Sequence, residues 1–252
     1  MQEKVGFYAA LLPPGYEDTA QRSKRFPVVV ILHGSGSSEV KHGRLADSFG
    51  REGVIYVLPR APHAHEDTFI EGNEPGWTAW PTYPESWGKF DSPTFPKGEL
   101  AGIDPTRIYL EWIRSCVEDA RRRYRTDGAR VVVFGHSQGA AFAHYFALVH
   151  PELVKAYFAY AGYYDQPPKG FDVAKTFKSR HITPFIAHHE ADATVKVAKA
   201  RWLLDYFREH DVAHTGLVLP DGNHRLSDRI KDEARRFIDA QSCRSTTSAC
   251  SP

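Results

Sequence analysis

Apolar residues along this chain collect into short, β-branched or aromatic runs, and the stretches between them carry apolar residues at helical spacing. Pro27–Leu32, Val54–Leu58, Arg130–Phe134, Ala156–Ala161, Pro184–His188 and Thr215–Leu219 each read as a strand, most of them unbroken enough to be buried on both faces. Gly6 to Pro14 alternates loosely and ends in Pro13-Pro14-Gly15, which predicts an edge strand entering a turn. Helices are expected at Leu45–Arg51, from Asp104-Pro105 along the face Ile108, Trp112, Ile113, Cys116, Val117 and Ala120, over Ala140–Val149, over Val195–His210 and over Leu226–Ala240. Strands alternating with helices predict an α/β fold, a mostly parallel central sheet with helices on both faces.

One stretch breaks the alternation. From about 61 to 103 prolines and glycines interrupt every period, and three of the chain's five tryptophans, Trp77, Trp80 and Trp87, fall there with Tyr83. This predicts an aromatic-rich insertion in one domain covering residues 1–240, with a polar tail over 241–252. Its aromatics have two readings, the wall of a pocket for an apolar or aromatic acyl group, or packing of the loop onto the surface. His63, His65, Glu66 and Asp67 are read as solvated loop charge rather than a metal cluster, so no metal or cofactor is expected.

Composition changes the picture mainly by exclusion. A net charge of +1 over 252 residues gives no electrostatic case for nucleic acid, and no apolar run is long enough to span a membrane. Met1-Gln2-Glu3-Lys4 has no apolar core, which leaves two locations open, the cytoplasm or export after removal of a leader. Of three cysteines, Cys116 is expected to be a small buried apolar residue, and Cys243 and Cys250 are spaced so that a disulfide is permitted but not required.

The chemistry concentrates where the strand ending at Phe134 runs into Gly135-His136-Ser137-Gln138-Gly139. A serine between two glycines, at a turn from buried strand to helix, projects its hydroxyl above the sheet. A hydroxyl needs a base to become a nucleophile, and the base needs a carboxylate to fix its tautomer. Asp192, after the strand ending near His188, and His224, after the strand ending at Leu219, stand where loops at the carboxyl ends of parallel strands place such groups. Asp192 has a rival role as a helix cap, and Glu190 and Asp221 are its substitutes; His188 and His189 are read as structural. Donors for a tetrahedral oxyanion are expected at the backbone amides of Gln138 and of Ser35, in the glycine-bearing loop His33-Gly34-Ser35-Gly36. His33 is expected to brace that loop.

Leu32-His33-Gly34-Ser35-Gly36, Gly135-His136-Ser137-Gln138-Gly139, the Asp192 segment, the His224 turn and the Leu12-Pro13-Pro14-Gly15-Tyr16 lead-in together resemble the α/β-hydrolase superfamily, from about Val5 to Ile238. Within it they are similar to carboxylesterases related to polyhydroxybutyrate depolymerases, feruloyl esterases and the phospholipase/carboxylesterase group. The resemblance implies a serine esterase acting on a small-molecule ester through a Ser137-His224-Asp192 triad, a nucleophile elbow, an oxyanion hole and an acyl-enzyme. A peptidase or acyltransferase on the same scaffold, or a ligand-binding domain without catalysis, are the alternatives. Two departures stand out: Gly139-Ala140 replaces a frequent glycine pair, and residues 61–103 match no element of the family.

Overall fold

The computed structural model describes residues 7–64, 78–79, 105–162, 164 and 171–242. Its frame is a sheet of seven strands in the order β1-β3-β2-β6-β7-β8-β9. These are β1 (Tyr8–Leu11), β2 (Val28–Leu32), β3 (Ile55–Pro59), β6 (Val131–His136), β7 (Val154–Tyr160), β8 (Thr183–His189) and β9 (Thr215–Leu219). β1 runs antiparallel on β3 at one edge, and every other pairing is parallel. Between β3 and the next helix, His63–Ala64 (β4) and Thr78–Ala79 (β5) form a separate two-residue antiparallel ladder that the irregular sequence there does not announce.

The β-branched runs fold as they do because both faces of the sheet are covered. Val28, Val30 and Leu32 point to one side, into a core shared with α2 (Pro105–Arg123), α3 (Gln138–Val149), α4 (Val173–Arg180) and α5 (Ala198–Glu209). Val29 and Ile31 point to the other, where α1 (Glu39–Phe49) and α6 (Asp228–Ser242) contribute Ala46, Phe49, Ile230, Ala234, Phe237 and Ile238. The period of two along each strand thus feeds two cores. α3 is buried on every side from Gly139 to Leu148, as its apolar composition requires. It even encloses His144, whose Nδ1 pairs with the Tyr157 hydroxyl at 2.6 Å.

Several boundaries differ from the sequence expectation. α1 starts at Glu39 rather than Leu45, because Ser38 Oγ accepts the Lys41 amide and caps the helix inside what reads as loop sequence. α4 was not expected at all; it is a single short amphipathic element capped by Asp172. α6 runs to Ser242, two residues beyond the boundary expected for the polar tail. The Asp104 cap, Pro167 to Gly170, and the Cys243–Cys250 pair lie outside the described residues. Cys116 is buried, and burial pushes its thiol up to about 12.

Candidate active site

The carboxyl ends of three parallel strands, β6, β8 and β9, carry the site. β6 ends at His136, and Ser137 joins it to α3 with φ 55° and ψ −119°. That conformation costs a non-glycine residue about 1–3 kcal/mol and persists only where the surroundings enforce it. Enforcement comes from two close approaches. A Cβ on Gly135 would lie 2.3 Å from the Gly139 carbonyl oxygen, and one on Gly139 would lie 2.2 Å from that of Leu32. Strand and helix therefore touch backbone to backbone, and the turn has no room to relax. The Ser137 amide is used as well, donating to Tyr160 O at 2.8 Å.

The Ser137 hydroxyl is held by His224, which follows β9: Oγ–H donates to Nε2 at 2.8 Å. The other ring nitrogen, Nδ1–H, donates to Asp192 Oδ2 at 2.8 Å. Asp192, after β8, is buried, and its second oxygen accepts the amides of Thr194 at 2.8 Å and Val195 at 3.0 Å. Burial alone would raise this carboxyl, but the Val195 amide, His224 and the Thr194 amide together hold it below the usual carboxylate range. Asp192 thus closes a turn with one oxygen and faces His224 with the other. The helix it would cap begins only at Ala198, with Val197 at its N-cap and no side-chain cap, so the capping role read from the sequence is not the one Asp192 takes. Glu190 is instead spent on a surface ion pair with Arg201, and Asp221 is exposed.

The surrounding histidines are structural in their contacts. His33 is fully buried; Nδ1–H donates to Gly34 O at 2.8 Å and Nε2 accepts the Ala61 amide at 3.1 Å, tying the loop after β2 to the end of β3. His188 Nε2–H donates to Val195 O at 2.9 Å, under the Asp192 turn, and His189 Nε2 pairs with Ser227 Oγ. Burial lowers His33 to about 4 and His144 to about 3. Unfolded, each returns to an ordinary value of 6.5. As pH falls below that value the unfolded chain takes up protons that the fold refuses, so stability is full above it and is lost toward about pH 4. Each histidine contributes about 1.4 kcal/mol per pH step across that window. The melting temperature is expected to fall steadily from about pH 6.5 to about pH 4, and His144→Phe should flatten the slope; scanning calorimetry across pH checks it.

A cleft of about 580 Å³ opens over Ser137. Its lining combines the loop after β2 (Gly34, Ser35, Ser37), the first turns of α1 (Lys41, His42, Leu45) and the loop after β9 (His224, Arg225, Leu226). Ser35 is exposed at its edge, while a Cβ on Gly34 would come within 3.1 Å of Ser137 Cβ, so this loop abuts the serine. Gln138 is the first residue of α3, directly beside it. His42, Leu45, Arg225 and Leu226 were not singled out in the sequence. Position alone places them here, though helical spacing after the Ser38 cap could have marked His42 and Leu45 as one face. Trp77, Trp80, Tyr83 and Trp87, the expected acyl-pocket residues, lie outside the described residues, as do His65, Glu66 and Asp67. No group of three potential metal ligands and no helix long and apolar enough to cross a membrane occurs among the described residues.

Parallel strands flanked by helices, with a serine, a carboxylate and a histidine after the ends of β6, β8 and β9, define an α/β-hydrolase. The chain belongs to the phospholipase/carboxylesterase family, whose model matches residues 17–242. No curated protein matches it significantly. Among solved structures it is similar to a Bacillus cereus carboxylesterase (17% identity, TM-score 0.67, 94% of each chain covered). It is also similar to esterase PE8 (20% identity, TM-score 0.64, 94% of this chain and 99% of that one). A third is acyl-protein thioesterase 2 of Zea mays (18% identity, TM-score 0.63, 95% and 100%). At such identities the likeness is one of fold.

Proposed function

We propose that the protein hydrolyses carboxylic esters of small molecules with Ser137 as nucleophile, His224 as general base and acid, and Asp192 as the group that orients and stabilises the imidazolium. The observation that carries this reading is the unbroken Ser137–His224–Asp192 hydrogen-bond chain, with both links at 2.8 Å. As Oγ attacks the acyl carbon, its proton passes to His224 Nε2, and the carbonyl π pair moves onto oxygen. That oxyanion is stabilised by the amides of Gln138, at the positive end of α3, and of Ser35. Collapse expels the alcohol, which takes the proton from His224 and leaves an ester on Ser137. Water, deprotonated by the same histidine, then releases the acid. The turn at Ser137 serves as a nucleophile elbow, and the strain held there keeps Oγ at the cleft floor rather than against α3.

The thioesterase among the similar folds supports one variant, in which the leaving group is a thiolate and every protein step is unchanged. A fluorophosphonate reagent, followed by intact mass and peptide mapping, tests the reading: one adduct per chain on Ser137 is expected. Absence of an adduct there overturns it. Matched oxyesters, thioesters and aminoacyl amides then rank the leaving groups.

A further inference from the structure

Three successive carbonyls on the loop that delivers His224 are gripped from the neighbouring strand ends. His136, the last residue of β6, donates from Nε2–H to His224 O at 2.9 Å. Tyr160, the last residue of β7, has its hydroxyl 2.8 Å from Asn223 O and 2.9 Å from Arg225 O, so its single proton is shared between them. The two side chains also support each other: their rings stack at 5.4 Å and 18°, and the His136 ring lies 5.1 Å from that of His224. Among the described residues little else holds the backbone of this loop. Gly222, Asn223 and Arg225 are exposed, and the Arg225 amide bonds only locally, to Asn223 Oδ1 at 2.9 Å. Gly222, at φ 114°, lies against the His189 ring.

We infer that His136 and Tyr160 are positioning residues: together they clamp the backbone at 223–225 and so set where the His224 ring stands between Ser137 and Asp192. The inference rests on the catalytic reading of Ser137 and His224 given above. The physical need is clear. Two 2.8 Å bonds fix the ring only while its Cα stays put, and an error of about 1 Å in such a group costs on the order of a hundredfold in rate. His136 is suited to the task because burial, the main cause, lowers it to about 4, so it stays neutral through neutral pH, and the His224 carbonyl, which can only accept, fixes its N–H on Nε2. It also occupies the residue position immediately before the serine. The turn that presents the nucleophile therefore also holds the base.

The clamp has two readouts, one of them independent of turnover. His136→Phe keeps a ring and removes the donor; it is expected to lower kcat about tenfold to a hundredfold with KM changed less than about twofold. His136→Gln, whose amide N–H reaches a similar point, should recover most of that loss. Tyr160→Phe should lower kcat in the same way, and the double variant should fall short of the product of the two effects, because both grip one loop. In a Ser137→Ala background, His136→Phe should speed amide hydrogen exchange over Asn223–Leu226 by about tenfold or more. Unchanged kcat and unchanged exchange in His136→Phe overturn the clamp, as does a loss of kcat that glutamine fails to rescue. If His136→Phe does not fold, Tyr160→Phe decides by the same two measurements. Failure of the esterase reading shows separately, as full turnover by Ser137→Ala, and leaves the exchange result standing.

Discussion

Ser137→Ala is expected to lower ester turnover about 10⁴-fold to 10⁶-fold while leaving the fold intact. The alanine methyl occupies the space of the serine Cβ, at the same φ of 55°, so the turn is strained no more than before. Asp192 and His224 keep their 2.8 Å bond, and only Oγ is missing. What remains is binding and oxyanion stabilisation, which act without a nucleophile. Steady-state hydrolysis of a p-nitrophenyl ester, beside a thermal melt, measures both quantities. Turnover within tenfold of the parent would remove Ser137 from the mechanism.

Gly135→Ala carries the largest expected cost in stability, about 3 kcal/mol or more. Its methyl would meet Gly139 O at 2.3 Å, Gly139 C at 2.6 Å and Ala140 Cα at 2.7 Å, all of them backbone. No rotamer change relieves such contacts. α3 cannot retreat either, being buried on every side of that turn. A urea titration of Gly135→Ala should show the midpoint displaced downward, together with loss of activity, since Ser137 lies between the displaced strand and helix. Gly43→Ala, in the middle of α1 with only Leu11 Cδ1 at 3.9 Å, provides the contrast and should gain up to about 1 kcal/mol from helix propensity. Equal effects at the two glycines would contradict the backbone-contact account.

Much of the frame was legible because burial on both faces leaves an unmistakable trace. Val28–Leu32 and Ile55–Pro59, buried at every position, come from continuous apolar runs of the kind a covered strand accommodates, and the fold class follows from the alternation of strands with helices. Ser137, Asp192 and His224 could be put forward from the sequence because each follows a strand, in the order Ser, Asp, His. α1 was misplaced because Ser38-Glu39 reads as the end of a serine-rich loop, and its capping role shows only once the Ser38 Oγ contact to the Lys41 amide is seen. α4 is too short, with too many charges, for periodicity to reveal. The grip of His136 on the His224 carbonyl was out of reach for a different reason. One partner is a main-chain oxygen 88 positions away, and main-chain atoms leave no mark in residue identities.

β9 is one of the two edge strands, bonded among the described residues only to β8, and its first residues, Thr215 and Gly216, are exposed. It is also the strand on whose far end His224 hangs. Ser137 and His224 are therefore anchored at places of unequal durability, one in the middle of the sheet and the other on its rim. Rim strands open locally at a smaller free energy than central ones. On the proposed reading, each such opening parts His224 from Ser137 without dismantling the molecule, and closing restores the pair. The fraction of time that Ser137 and His224 stand together is thus governed by the edge strand, while global unfolding requires the central strands to part as well.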